Sequence, residues 1–565
     1  MVGGEAGQGV QSVGFILAKA FARGGYHVFA DQDYESRIRG GHNFFRVRVS
    51  DSEVGTISEK LDILLALNRE TIELHQGELV RGGVAVFDGD KINDIRSDST
   101  FFSVSLGRLA EQEAGTGLMA NTVALGVALG LVHYDLATLT EVLREHFGIG
   151  QTGEANVKAA AKGYEYAVNN FKGKLKQTLS PLSDKKRMLI NGNDAIALGA
   201  VAAGCTFMAA YPMTPVTSIM EYLASKSDEL GLVAVQAEDE ISAVNMIIGA
   251  AFTGARAMTA TSGGGFCLMV EALGLAGITE TPILVVLGQR PGPAIGLPTR
   301  TEQGDLLFAI RASHGEFPRA VLAPATIEDA FWLTVKAFNL AEKYQLPVIL
   351  LTDQHLASSY STIDKFDLSR VIIDRGLLLT KEELTAQSEY KRHKITPSGI
   401  SPRALPLEGK ALVVTDADEH DEEGHLIEDA DIRTRMMLKR LRKLDGLRHE
   451  IQHPRIYGSQ KAEALLIGWG STYGALKEAV DILQGHGLDV GLLHLNELWP
   501  FPAGAVTDAL RGVRKSFVVE NNATGQLAHL IRSQTGRKVT GNILKFDGRP
   551  FTPARIANEL RKEVS

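Results

Sequence analysis

Residues 327–351 read IEDAFWLTVKAFNLAEKYQLPVILL and combine the two patterns that decide the fold. Residues 327–342 are amphipathic with helical periodicity, which predicts a helix, and residues 346–351 are a short apolar run typical of a buried strand. Because buried strands that alternate with helices form parallel sheets covered by helices, the sequence predicts an α/β fold. The same patterns predict strands at 26–30, 82–87, 283–287, 464–467 and 516–519, and helices at 122–131, 242–252 and 473–483.

The chain is long enough for three or four domains, because 565 residues exceed the usual domain size several times. Residues 172–186 (KGKLKQTLSPLSDKK) are polar and indicate a linker, and an irregular, an acidic and a basic helical segment follow one another within 371–455. Their charges favour a solvated surface, with an interdomain arm or a subunit contact as the alternative. We expect an N-terminal domain (1–172), a central domain (187–370), an insert or arm (371–455) and a C-terminal domain (456–565).

Composition excludes several classes of function. Lys and Arg number 59 against 67 Asp and Glu, a net charge of −8, whereas proteins that bind nucleic acid normally carry a basic excess. No apolar run reaches the roughly 18 residues that cross a bilayer, and the first residues lack the features of a signal peptide. We therefore expect no nucleic-acid partner, no membrane span and a cytoplasmic location. Since only Met1 and Val2 precede a glycine-rich turn that needs a strand before it, we expect the natural chain to begin upstream.

The sequence contains two cysteines, Cys205 and Cys267. A cubane iron–sulfur cluster needs about four thiolates, and a zinc site built from cysteine needs closely spaced pairs. We therefore expect no metal site on this chain, and any iron–sulfur cluster that the protein uses must lie on another chain.

Two glycine-rich segments near the N-terminus suit an anion. Residues 3–9 (GGEAGQG) precede a helical pattern, so their N–H groups suit a phosphate at a helix start, although a structural turn explains them equally well and they do not fit a dinucleotide fingerprint. Residues 36–42 (SRIRGGH) place Arg37 and Arg39 beside a glycine pair. Arginine forks suit phosphate or carboxylate and also an acidic partner surface, which the spacing alone favours.

Residues 211–215 (YPMTP) lie between a short apolar segment and a predicted helix. The two prolines hold the hydroxyl of Thr214 at the mouth of a strand–helix turn, where ligands bind in open α/β sheets. Pro215 is then expected in the first turn of the helix. Ordinary helix capping by Thr214 is the alternative.

A carboxylate, Glu240, stands at the head of the apolar stretch 241–251. A cap or a partner of the helix dipole is its ordinary explanation. Shortly afterwards, residues 259–265 (TATSGGG) supply small side chains that let a flat ring approach the backbone. Because a desolvated carboxylate beside a flat heterocycle shares a proton with a ring nitrogen, Glu240 is a catalytic candidate.

Two arginines follow the next predicted strand, Arg290 in GQRPGP and Arg300 in PTRTE. Each suits a substrate carboxylate. Pairing with Glu302 or Asp305 is the alternative for either of them.

Together these segments resemble the 2-oxoacid:ferredoxin oxidoreductases in which a γ-type domain is fused ahead of the α subunit. The resemblance covers essentially the whole chain. The segments that carry it are GGEAGQGV and YESRIRGGHNFFRVR in the γ-type domain; NGNDAIALGAVAAG, YPMTP, EDEISAVNMIIGA, TATSGGG and GLPTRTEQGDL in a domain that binds the pyrimidine of thiamine diphosphate; DEHDEEGH in the insert; and WGSTYGALKEA, HLNELWPFP and VVENNATGQL in a transketolase C-terminal-like domain.

The resemblance implies thiamine diphosphate as cofactor, with a glutamate at N1′ of its aminopyrimidine. Glu240 meets the family's spacing to the following Gly-Ala pair, whereas Glu238 lies two residues too early. The family's pattern also implies that Thr214 and Arg290 bind the substrate near its 1-carboxylate and that Arg300 meets a distal carboxylate. The expected contacts of the cofactor are Tyr211, Pro212, Ser262 and Gly263. Arg37 and Arg39 are the candidates for coenzyme A.

Thiamine enzymes hold Mg²⁺ and the diphosphate through a Gly-Asp-Gly turn with an Asn about 25–30 residues later, and this sequence lacks that pattern. Asp88-Gly89-Asp90 has an Asn only at 93, and no such turn precedes Asn521. The family supplies the motif, Mg²⁺ and a [4Fe-4S] cluster on a β subunit. The resemblance therefore implies a β subunit as partner, an (αβ)2 assembly and ferredoxin as electron acceptor.

The reaction implied is that of a 2-oxo acid, coenzyme A and two oxidised ferredoxins giving acyl-CoA, CO₂ and two reduced ferredoxins, or its reverse. Two cationic groups ten residues apart suit a substrate with two carboxylates, so the sequence favours 2-oxoglutarate and the product succinyl-CoA. Pyruvate and branched-chain or aryl 2-oxo acids are the alternatives, and a non-catalytic scaffold subunit is the alternative of another class.

Overall fold

The computed structural model describes residues 1–37, 40–95, 97–173, 175, 177–183, 185–459 and 461–564, and its secondary structure is α/β. The strands, in chain order, are β1 (Val2–Ala6), β2 (His27–Asp33), β3 (Gly40–Ser50), β4 (Leu61–Ala66), β5 (Leu79–Asp88), β6 (Phe101–Val104), β7 (Met188–Asn191), β8 (Phe207–Ala210), β9 (Val233–Gln236), β10 (Ala257–Ser262), β11 (Ile283–Gln289), β12 (Ala320–Leu322), β13 (Pro347–Asp353), β14 (Tyr360–Ile363), β15 (Arg455–Gly458), β16 (Ala464–Trp469), β17 (Val490–Leu495), β18 (Glu497–Trp499), β19 (Lys515–Glu520) and β20 (Gly541–Leu544).

Helices connect most of these strands. In chain order they are α1 (Val10–Arg23), α2 (Arg69–His75), α3 (Leu106–Ala114), α4 (Ala120–Leu131), α5 (Leu136–Phe147), α6 (Gln151–Asn170), α7 (Gly192–Ala202), α8 (Thr217–Ser225), α9 (Ser227–Leu230), α10 (Glu240–Phe252), α11 (Gly263–Ile278), α12 (Leu306–Arg311), α13 (Ile327–Tyr344), α14 (Gln354–Ser358), α15 (Lys381–Ala386), α16 (Ala430–Glu450), α17 (Tyr473–Gly485), α18 (Ala503–Ala509), α19 (Gln526–Thr535) and α20 (Pro553–Val564). None of the described helices is long and apolar enough to cross a membrane.

The chain forms two compact units. The first comprises Met1–Ile190 and Ser359–Lys365. Its sheet has the order β6-β5-β4-β1-β3-β2-β14-β7, in which β6, β5, β4 and β1 run parallel and β3 turns antiparallel to β1. The strand β14 comes from the short second segment and pairs antiparallel with β2.

The second unit comprises Asn191–Ser358 and Phe366–Ser565. Its larger sheet has the order β18-β12-β13-β11-β10-β8-β9, and every strand from β12 to β9 in that order runs parallel. Its smaller sheet, β15-β17-β16-β19-β20, is parallel apart from β15. One apolar core joins residues of both sheets, and near-continuous burial of β10, β11, β13 and β16 explains their Val/Ile/Leu-rich sequences.

The α/β prediction is confirmed, and each predicted strand and helix is present with shifts of a few residues at its ends. Two local expectations are wrong. Gly3 and Gly4 belong to strand β1, so the turn before α1 is only residues 7–9. Pro215 precedes helix α8, which begins at Thr217 with Val216 as its N-cap, so Pro215 is not in the first turn and Thr214 is not the cap.

Some of the charged side chains of the insert are buried, although the sequence favoured a solvated surface for them. Three basic residues of α16, Lys439, Arg440 and Lys443, are buried. Lys439 and Lys443 form salt bridges with Glu280, which is also fully buried. Arg440 pairs with Glu419, in the acidic segment of the insert itself. The interpretation is therefore wrong for this face of the helix, because its cations are paired with buried or partly buried carboxylates rather than with solvent. The finer domain boundaries remain a prediction.

Candidate active site

The parallel strands β8, β9, β10, β11 and β13 end at one edge of the larger sheet, where ligands bind in open α/β folds. The chain leaves β8 into residues 211–215, β9 into Glu240 and β10 directly into the start of α11. Arg290 immediately follows β11. The topology therefore brings the candidate groups of the second unit to a common edge.

Glu240 is the first residue of α10 and is only 4% exposed. The cap of this helix is Asp239, whose carboxylate accepts the Ser242 N–H at 2.7 Å. One carboxyl oxygen of Glu240, Oε1, is buried and has no hydrogen-bond partner among the described residues. Glu238, by contrast, is exposed. Because an unpaired buried carboxyl oxygen is costly, Glu240 is suited to a ligand that supplies the missing hydrogen bond.

The start of α11 is shaped by the absence of a side chain at Gly265. A Cβ atom there would lie 2.6 Å from Glu240 Oε1 and 2.1 Å from Thr261 Oγ1. The hydroxyl of Ser262, the last residue of β10, is buried and also lacks a hydrogen-bond partner within the part of the chain that the structure describes. Polar atoms without partners, beside backbone that carries no side chain, fit a flat heterocycle with hydrogen-bonding nitrogens. The residues present therefore fit the aminopyrimidine of thiamine diphosphate.

The loop at residues 211–215 contacts the loop that follows β11. The Arg290 guanidinium donates to the Thr214 carbonyl at 2.7 Å, and burial lowers the pKa of that guanidinium. At the end of the 211–215 loop, the Pro215 carbonyl accepts a hydrogen bond from the side-chain amide of Asn193 at 2.7 Å. Thr214 and Arg290, both candidates from the sequence, are thus brought together, and their roles toward a substrate stay a prediction.

Two more candidates flank these groups. Tyr211 is 40% exposed and Pro212 is half-buried. Arg300, ten residues beyond Arg290, is half-buried, and its guanidinium donates to the Thr299 carbonyl at 3.5 Å. Arg300 and Arg290 lie on the same loop between β11 and α12.

Sequence reasoning treated Asp305 only as a pairing partner for arginine. Burial raises its pKa to about 6, and its carboxyl lies beside Gly263, where a Cβ atom would be 2.8 Å from Asp305 Oδ2. Burial, and then Asp305 itself, also raise the pKa of Glu302. The signal in the sequence was an acidic residue directly before a helix. This pattern is too common to identify Asp305 as a functional residue.

In the first unit, Arg37 is exposed and forms a salt bridge with Glu35 at 2.9 Å. Arg39 lies outside the described residues. His42 Nε2 is 2.8 Å from His75 Nε2, and His75 Nδ1 is 2.8 Å from Glu78 Oε1. The sequence did not predict this hydrogen-bonded series of three side chains.

The described residues contain no group of three or more His, Cys, Asp or Glu side chains placed to hold a metal ion. Cys205 is buried and Cys267 is exposed, and both are free thiols.

Three family models match the chain. Residues 1–166 match "Pyruvate ferredoxin/flavodoxin oxidoreductase", residues 198–439 match "Pyruvate flavodoxin/ferredoxin oxidoreductase, thiamine diP-bdg", and residues 462–556 match "Pyruvate:ferredoxin oxidoreductase core domain II". The candidate residues of the second unit's sheet edge lie within the thiamine-binding match.

Full-length relatives are similar as well. A 2-oxoacid:ferredoxin oxidoreductase subunit alpha from Sulfolobus sp is 34% identical, over 100% of this chain and 96% of the relative. The 2-oxoglutarate oxidoreductase subunit KorA of Mycobacterium tuberculosis is 31% identical, over 100% and 91%. A solved 2-oxoglutarate:ferredoxin oxidoreductase from Magnetococcus marinus, with 2-oxoglutarate, coenzyme A and succinyl-CoA bound, is 34% identical with a TM-score of 0.93, covering 100% of this chain and 99% of that one.

Proposed function

This chain belongs to the 2-oxoacid:ferredoxin oxidoreductase family as an alpha subunit, and we propose that, among the 2-oxo acids, its substrate is 2-oxoglutarate. The reaction is 2-oxoglutarate, coenzyme A and two oxidised ferredoxins giving succinyl-CoA, CO₂ and two reduced ferredoxins, or its reverse. Two arginines on one loop at the ligand edge of the sheet carry this proposal. The KorA relative and the Magnetococcus enzyme, both named for 2-oxoglutarate, support it.

Glu240 is the proposed proton-sharing group. When bound, thiamine diphosphate would supply the electron sink for loss of CO₂ from a 2-oxo acid. The residues that would hold its aminopyrimidine are Glu240 and Ser262, each with a buried oxygen that has no hydrogen-bond partner among the residues described, and Gly263, Tyr211 and Pro212 around them. Glu240 would hold or release a proton at N1′, in surroundings dry enough to make that hydrogen bond strong.

Arg290 and Thr214 are proposed to orient the reacting end of the substrate. The hydrogen bond from the Arg290 guanidinium to the Thr214 carbonyl fixes one edge of the guanidinium and leaves its other donors for a carboxylate. Arg300 is proposed to bind the distal carboxylate, which pyruvate lacks. A pocket for a branched-chain or aryl 2-oxo acid should carry apolar groups at this position.

We also propose that a β subunit completes the enzyme. Two cysteines cannot hold a [4Fe-4S] cluster, and the sequence lacks the Gly-Asp-Gly…Asn pattern for Mg²⁺ and the diphosphate. A β subunit in an (αβ)2 assembly would supply both and pass electrons to ferredoxin, and Arg37 and Arg39 stay candidates for coenzyme A. A preparation of this chain alone that oxidises 2-oxo acids with ferredoxin would contradict this proposal.

Substrate specificity is tested by kcat/KM for 2-oxoglutarate, pyruvate and 2-oxoisovalerate in the wild-type holoenzyme and in Arg300→Met. Loss of a charged hydrogen bond should cost 2-oxoglutarate about 1.5–3 kcal/mol and leave pyruvate nearly unchanged. Arg311→Met, on helix α12 and exposed, is the matched control. Equal losses for all three substrates in Arg300→Met would contradict the role of Arg300 and, with it, the preference for 2-oxoglutarate over pyruvate and the other 2-oxo acids.

A further inference from the structure

The loop that carries Arg290 and Arg300 is fixed near its end by residues from the C-terminal part of the chain. Gln303 is fully buried, and its backbone N–H donates to the main-chain carbonyl of Asn521 at 2.7 Å. Its side-chain carbonyl accepts the Asn521 N–H at 3.1 Å, and its amide nitrogen donates to the Trp469 carbonyl at 2.9 Å. Three hydrogen bonds therefore hold a residue that lies only three positions after Arg300.

Asn521 also holds a second segment, the turn at residues 545–549. Its side-chain amide donates to the carbonyls at the two ends of this turn, at 3.4 and 3.1 Å. Within the turn, Gly548 has a φ of +77°, and a Cβ atom there would lie 3.0 Å from the Cβ of Arg300. The Gly548 carbonyl accepts the N–H of Thr301 at 3.2 Å. The turn is thus in direct contact with the backbone that carries Arg300.

The next residue, Asn522, also bonds to Gln303 and so helps to fix the loop that carries Arg300. It is 1% exposed, and its amide nitrogen donates to the Gln303 carbonyl at 3.1 Å and to the Glu520 carboxylate at 2.8 Å. Its carbonyl accepts the Gly525 N–H at 2.8 Å. The side chain is satisfied at both ends, so it holds one orientation.

We propose that Asn521 is a positioning residue for substrate selection, because its main chain bonds to Gln303 and its side-chain amide bonds to the turn at 545–549, which together fix where Arg300 stands. The inference rests on the proposed function, since it acts through the role of Arg300 toward a distal carboxylate. It also assigns a role to the Asn-Asn pair of VVENNATGQL, which has no Gly-Asp-Gly turn at the spacing of a diphosphate site.

The physical basis is the sensitivity of a charge contact to distance. Arginine has a long and flexible side chain, so its guanidinium meets a small substrate reproducibly only if its backbone is fixed. A misplacement of about 1 Å costs up to about 10²-fold in rate. Pyruvate has no distal carboxylate and depends on Arg290, whose hydrogen bond to the Thr214 carbonyl is independent of Asn521.

The test is a double-mutant cycle on the purified holoenzyme, with wild type, Asn521→Ala, Arg300→Met and the double variant. For Asn521→Ala we expect about a tenfold loss of kcat/KM with 2-oxoglutarate and less than about a twofold loss with pyruvate, the first being the scale of one lost hydrogen bond. The double variant should be no worse than Arg300→Met, since residues that act through one contact are not additive. Asn542→Ala, at an exposed asparagine on β20, is the control.

Equal losses for the two substrates, or additive losses in the double variant, would overturn the role of Asn521. Where Asn521→Ala does not assemble, Asn521→Asp decides the question, because an ionised carboxylate keeps the shape of the side chain but cannot donate to the carbonyls of Lys545 and Arg549. It should produce the same selective loss, and a loss shared equally by both substrates would overturn the proposal.

A second readout separates this inference from the proposed function. If Arg300→Met itself does not discriminate between the substrates, the failure belongs to the proposed function. The positioning role is then decided by amide hydrogen exchange at Thr301, whose N–H bonds to the carbonyl of Gly548, in the turn that the Asn521 side chain holds. Exchange that is faster in Asn521→Ala than in Asn542→Ala supports the role, and unchanged exchange overturns it.

Discussion

Glu240 is the first residue of a helix that its neighbour Asp239 caps. Because Glu240 is not the cap, one of its buried carboxyl oxygens has no hydrogen-bond partner in the described parts of the chain. The sequence predicted a carboxylate at the head of an apolar helix, but it could not show which of three acidic residues, at 238, 239 and 240, would cap, which would face solvent and which would be buried. That choice depends on backbone dihedral angles and on the bare backbone of Gly265, 25 residues later.

We expect Glu240→Gln to fold and assemble but to lose about 10²–10³-fold in decarboxylation rate, because an amide cannot share a proton at N1′ as a carboxyl group does. The measurement is single-turnover release of CO₂ from a labelled 2-oxo acid by the holoenzyme. Glu238→Gln, at the exposed position two residues earlier, should keep nearly full activity. An inactive Glu238→Gln beside an active Glu240→Gln would show that the assignment is shifted.

Helix α16 shows what periodicity and charge predict about an element and what they miss. The basic helix itself was predicted, and it is present over Ala430–Glu450. Its buried face was not, because the carboxylate that makes it possible is Glu280, about 160 residues earlier in the chain. The salt bridge from Lys443 to Glu280 measures 2.5 Å, and His393 approaches the same carboxylate at 2.9 Å. Burial alone would raise the pKa of Glu280, but the ammonium groups of Lys439 and Lys443, together with the His393 hydrogen bond, hold that pKa well below its usual range.

We expect Glu280→Gln to lower the free energy of unfolding of the second unit by about 3–5 kcal/mol, because it leaves the ammonium groups of Lys439 and Lys443 buried without a counter-ion. Denaturant unfolding of the full chain measures this loss. Glu428→Gln, at an exposed position of the same insert, should change the free energy of unfolding by less than about 0.5 kcal/mol. Replacing Glu280 and both lysines together by apolar residues of similar size should recover most of the loss.

The first compact unit is built from two segments of the chain, and its sheet is incomplete without the second. Thr362, in β14, donates its hydroxyl to the Val28 carbonyl at 3.4 Å, and the same oxygen accepts the Val28 N–H at 2.9 Å. Sequence patterns predicted β2 as a strand but not its neighbour, because the partner residues are 334 positions apart and no local signal links them.

We expect Thr362→Val to destabilise the first unit by about 1–3 kcal/mol, because a buried backbone N–H of Val28 loses its acceptor while the shape of the side chain is kept. Hydrogen exchange at the Val28 amide should accelerate accordingly, with exchange in β11 unchanged. Thr385→Val, at an exposed position of α15, should leave exchange in β2 as it is. Uniform acceleration across both units would contradict this assignment of β14 to the first unit.

The late arrival of β14 has a consequence for synthesis on the ribosome. Residues 1–190 are translated first, but Ser359–Lys365 leave the ribosome roughly 170 residues later, which at about 5–20 residues per second is a delay of roughly 10–30 s. During that interval β2 has no partner on the side that β14 will occupy, and an unpaired strand edge is a template for pairing with other nascent chains. Translation speed across residues 191–358 therefore sets how long this edge stays open, and slowing it with rare codons should increase aggregation of the newly made protein.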